Sequence, residues 1–134
     1  MSNLSALLTA QAYERLVAFT ERCSFTALAN RLPAGNMLAG QLAEVFKEAI
    51  SVEFEHNLSQ QIYVSEPAWQ VVIDLKDQQI FIINELAHAI SRDAPGQTLV
   101  DSIKAFLGAD PNASIQPMVL DVLKKEARQH LAKI

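Results

Sequence analysis

Apolar residues along this chain return at three- and four-residue steps, the period of a helix face rather than the two-residue alternation of a strand. In residues 4–23 the stripe is Leu8, Tyr13, Leu16, Val17 and Thr20, with Arg15 and Arg22 on other faces. Residues 25–32 read as a short extra turn before the connection Pro33-Ala34-Gly35-Asn36. From 37 to 56, Leu38, Leu42, Val45, Phe46, Ala49, Ile50 and Phe54 keep one helical face, while Glu44, Lys47, Glu48 and Glu55 mostly fall outside it.

After a stretch of uncharged polar residues, Ser65-Glu66-Pro67 has the form of an N-cap followed by proline in the first turn, which predicts a third helix from Glu66 to about Ile90. Two strands, 71–75 and 80–83, are the alternative. A tight hairpin between them would need Gly or Asn at positive φ, and Lys76-Asp77-Gln78-Gln79 has neither. As a helix the segment shows the face Trp69, Val72, Ile73, Ile80, Ile83, Ala87 and Ile90, with no breaker before Pro95-Gly96. A fourth helix is expected at 99–107, capped by Thr98 and closed by Gly108 as the glycine after the last turn. Asp110-Pro111-Asn112 is a turn. Ser114 then caps a last helix with Pro117 near its start and a stripe of Met118, Val119, Val122, Leu123, Ala127 and Leu131. The expectation is an all-α, single-domain bundle of about five helices spanning residues 1–134.

Composition agrees with that picture. Half of the 134 residues are hydrophobic, enough for a core without disulfide or metal staples. Cys23 is the only cysteine, which fits a reducing compartment, with the cytoplasm as the expected location. The N-terminus lacks the basic and apolar regions of a signal peptide, and no apolar run approaches the roughly 18 to 20 residues of a membrane span, so a soluble chain is expected. A net charge of -4 disfavours nucleic acid as a partner. Charge is uneven, acidic around Glu44, Glu48, Glu53 and Glu55 and basic around Lys124, Lys125, Arg128 and Lys133; two solvated faces are the expected reading, with a partner-docking patch the alternative.

The run Glu53-Phe54-Glu55-His56-Asn57-Leu58-Ser59-Gln60-Gln61-Ile62-Tyr63-Val64-Ser65 with Trp69, and the earlier Gln11-Ala12-Tyr13-Glu14-Arg15-Leu16, resemble an uncharacterised family of Bacteroidetes proteins over residues 11 to about 90. The resemblance implies no activity, cofactor or catalytic residue. It implies an N-terminal membrane anchor in other members, and the residues ahead of position 11 here do not read as one.

Two Glu-x-x-His pairs, Glu53/His56 and Glu85/His88, have the spacing that puts carboxylate and imidazole on one helix face, as in di-iron bundles. A hairpin turning near Ile62 would separate them by on the order of 20 Å, so no shared metal is expected within one chain, and no cofactor. The candidate binding residues are Glu53, His56, Asn57, Gln60, Gln61 and Tyr63, where polar groups gather beside Phe54, Leu58 and Ile62. The structural alternative is that Asn57 ends a helix and the amides satisfy the backbone of the turn. Cys23 reads as a buried thiol rather than a nucleophile.

The functional expectation is a non-catalytic helical interaction module. The alternatives are a metal-binding or enzymatic bundle built on His56 with Glu53 and Glu55, and a binder of small apolar ligands. A homodimer or other homo-oligomer is expected because the third helix shows a second apolar row, Val71, Leu75, Ile82 and Leu86, that also needs cover; burial at the centre of the chain is the competing explanation.

Overall fold

The computed structural model describes residues 3–133 as helices α1 (Asn3–Arg22), α2 (Phe25–Arg31), α3 (Ala39–His56), a 3-10 segment (Leu58–Tyr63), α4 (Glu66–His88), α5 (Gly96–Ala109) and α6 (Gln116–Leu131). Among these residues there is no strand; one isolated bridge joins Leu38 to Pro95. The 71–83 stretch is helical throughout. Seven helical elements stand where about five were expected, and the additions are α2 and the 3-10 segment, both too short to display a periodic stripe.

Local chemistry explains most of the boundaries. Ser24 caps α2 and Ser65 caps α4, each hydroxyl accepting the N–H three residues on, Ala27 and Ala68, at 3.1 Å. Gly35 takes φ +51° in the connection after α2. The start of α3 is satisfied by partners far along the chain: Ala39 N–H donates to Ala94 O at 2.7 Å and Gly40 N–H to Arg92 O at 3.0 Å. In return Gly96 N–H donates to Met37 O at 2.8 Å, and a Cβ at Gly96 would lie 2.8 Å from that oxygen, so the backbone approach requires glycine.

This lacing moves the start of α5. It begins at Gly96 rather than 99, so Thr98 lies in the first turn and does not cap. At the other end the helix runs through Gly108 to Ala109, and Gly108 has no positive φ, so it is not the terminating glycine expected.

Helix α4 is the axis of the bundle. It packs on α3 along one side and on α6, α5 and α1 around the rest. Val72, Leu75 and Ile83 are fully buried, Ile82 is 4% exposed, and Val71 and Leu86 pack against the core. Both apolar rows of α4 are therefore covered within the chain, and the inference of self-association from its second row does not stand. Only Phe81, at 62% exposure, is left as a large apolar side chain open to solvent on this helix.

Helix α6 runs antiparallel to α1. Gln116 Nε2 donates to Thr20 O at 3.2 Å near one end, and His130 stacks on Tyr13 at 5.4 Å near the other. An aromatic cluster ties α1, α3 and α4 together: Phe54 stacks on Trp69 at 5.4 Å, meets Phe19 edge-on at 6.1 Å, and carries Lys76 Nζ 4.7 Å from its centroid.

Candidate functional site

The segment from Glu53 to Tyr63 crosses from α3 through the 3-10 turn to the cap of α4 and packs against α1. The Glu53 side chain bonds to a neighbouring element, whereas the Asn57, Gln60 and Gln61 amides bond within the segment. Glu53 Oε1 accepts from Arg22 Nε at 2.6 Å and from Nη2 at 2.5 Å, joining the end of α1 to α3. The hydrogen bond and charge of Glu53 raise the Arg22 pKa still further. The His56 side chain is exposed, and its backbone oxygen accepts from Arg15 Nη2 at 2.7 Å.

Asn57 is buried and ends α3, its Nδ2 donating to Glu53 O at 2.8 Å. Gln61 Nε2 donates to Leu58 O at 2.9 Å, and the buried Gln60 donates to Ser59 Oγ at 3.2 Å. Tyr63 is partly exposed beside Leu58 and Ile62, the latter 74% exposed. Glu53, His56 and Asn57 are thus adjacent, while Gln60, Gln61 and Tyr63 bond locally or face solvent. Among the described residues no group of three His, Cys, Asp or Glu side chains is arranged to hold a metal.

The two Glu-x-x-His pairs lie nearer than the hairpin estimate allowed. Lys47 Nζ donates to Asn84 Oδ1 at 2.9 Å. That register puts Glu85 close to the level of residue 46, about seven residues or roughly 10 Å along the axis from Glu53. The 3-10 segment lengthens the connection and shifts the register. Glu53 is already engaged by Arg22.

A polar knot formed by distant residues was not foreseen. The Tyr13 hydroxyl, on a fully buried side chain, accepts from Ser65 N–H at 3.2 Å, and Ser65 Oγ donates to Glu126 Oε1 at 2.7 Å. His130, four residues after Glu126 on α6, covers the Tyr13 ring. The knot binds the cap of α4 to both α1 and α6. The sequence marks Ser65 as a cap, but nothing local links it to Tyr13 or Glu126, which meet it only in the fold.

The open surface also differs from the expectation. Between α1 and α6 runs a groove of about 460 Å³ lined by Leu7, Ala10, Val17, Ala127 and Leu131, with Glu14 on one wall and Lys124 and Arg128 on the other. Leu4 stands one turn before Leu7. Leu4, Leu7 and Leu131 are 68%, 48% and 54% exposed. None of Glu14, Lys124 and Arg128 is in an ion pair among the described residues.

Taken together the molecule is an all-helical bundle with an apolar groove along its outer helix pair. The chain belongs to a family of unknown function, DUF7935, which matches residues 3–130 and so extends beyond both ends of the stretch on which the resemblance rested. Comparison with curated proteins and with solved structures finds no match. No helix among the described residues is long and apolar enough to cross a membrane.

Proposed function

We propose that this chain is a non-catalytic helical interaction module, folding as one domain and pairing with a second copy of itself through the α1/α6 groove. The observation that carries the reading is the exposed pair Leu7 and Leu131 in a groove whose charges are divided between its walls, with exposed Leu4 one turn before Leu7. A two-fold interface must be self-complementary, since the same patch meets itself. Here α1 supplies a carboxylate, Glu14, and α6 supplies two cations, Lys124 and Arg128. Antiparallel apposition of two copies sets each Glu14 against the cations of the other while the leucines close on one another. Leucine burial supplies the affinity, and the charges set the register.

The test is a charge exchange read by light scattering. Glu14→Lys is expected to weaken the dimer, and adding Lys124→Glu with Arg128→Glu to the same chain to restore it. Ile62→Glu, at the exposed 3-10 turn, serves as the control and is expected to leave the mass unchanged. A dimer broken by Ile62→Glu but not by Glu14→Lys would overturn the assignment of the interface.

A further inference from the structure

A cavity of about 160 Å³ lies between α2, α3 and α5, away from the α1/α6 groove. Its wall is apolar and buried: Phe25, Phe46, Val100 and Ile103 are 7%, 1%, 7% and 4% exposed. The rim is polar and exposed, made by Thr26 and Asn30 on α2 and Lys104 on α5. The gap has a local origin, because α2 is only seven residues long and presents Ala29, a single methyl, beneath α5.

An apolar cavity of about 150 Å³ admits a benzene ring, so the volume suits one ring or a short chain. Lys104 forms no ion pair among the described residues, so its ammonium is available at the mouth. An apolar chamber ending in one cation and two hydrogen-bonding side chains has the polarity of an amphipathic anion. We propose that this cavity binds a small carboxylate whose tail is one aromatic ring or a short aliphatic chain, the tail among Phe25, Phe46 and Ile103 and the carboxylate at Lys104, Thr26 and Asn30.

Phenylacetate and toluene, titrated separately into the full ¹⁵N-labelled chain and followed by amide chemical shifts, test the proposal. Both probes are expected to shift amides of α2 and α5, with phenylacetate the tighter. Lys104→Met should weaken phenylacetate by up to about fivefold and leave toluene unchanged, the size of effect expected when one exposed charge pair is lost. Ala29→Phe, which fills the gap from the short helix, should exclude both. Absence of shifts at α2 and α5 with both probes would overturn the site. Equal phenylacetate affinity with and without Lys104 would overturn the carboxylate assignment.

Discussion

Cys23, just after the last turn of α1, is 1% exposed, and burial pushes its thiol up to about 12, with the Glu53 charge adding to the effect and Arg31 and Arg22 opposing it. The raised value has a definite sign. In the unfolded chain the thiol ionises from about pH 9, whereas the folded chain holds it neutral until about pH 12. The contribution of Cys23 to stability is therefore complete below pH 9 and is lost as pH rises toward 12, at a limiting slope of about 1.4 kcal/mol per pH unit. Urea unfolding at pH 8 and pH 10.5 should show the decline, and Cys23→Ala should remove the thiol's share of it; an unchanged slope in that variant would contradict the account. A buried structural thiol was readable from the lack of any partner motif. The Glu53–Arg22 pair was not, because its members are 31 positions apart and only the meeting of α1 and α3 brings them together.

Ser65 and α4 are where local signals and the fold agree most closely. The cap, the proline that follows it and the absence of turn residues at 76–79 all favour one helix, and one helix forms. Ser65→Ala removes both the cap and the donor to Glu126, and should cost about 1–3 kcal/mol in thermal or urea unfolding. A loss below a few tenths of a kcal/mol would mean that the knot contributes little. Ile82 decides between the two explanations of the second apolar row. Because it is buried inside the chain, Ile82→Glu should unfold the protein or cost more than about 3 kcal/mol, rather than release a folded monomer. A native circular dichroism spectrum with halved mass would restore α4 as the interface. By contrast, the start of α5 was misplaced because its determinant is tertiary: Met37 O and the carbonyls of residues 92 and 94 bond the helix starts across the bundle, leaving no capping residue to read.

The molecule as a whole consists of a central α4, an α1/α6 pair on one side and α3 with α5 on the other. The all-helical class was readable because 3.6-residue stripes recur through most of the chain. The groove and the cavity were not. A groove depends on which of two stripes the neighbouring helix covers, and a cavity on side-chain volumes at three helices that meet only in the fold. In the fold the polar segment joins elements: Asn57 closes α3, and the backbone around it is held by Arg15 and Tyr13 of α1. Self-pairing through α1 and α6 is the central claim, and mass in solution tests it most directly. Sedimentation at tens of micromolar should give twice the chain mass of 14.8 kDa, falling to the single mass in the Leu7→Glu, Leu131→Glu variant with its helical spectrum retained. A wild-type chain that sediments at 14.8 kDa across that range would contradict it.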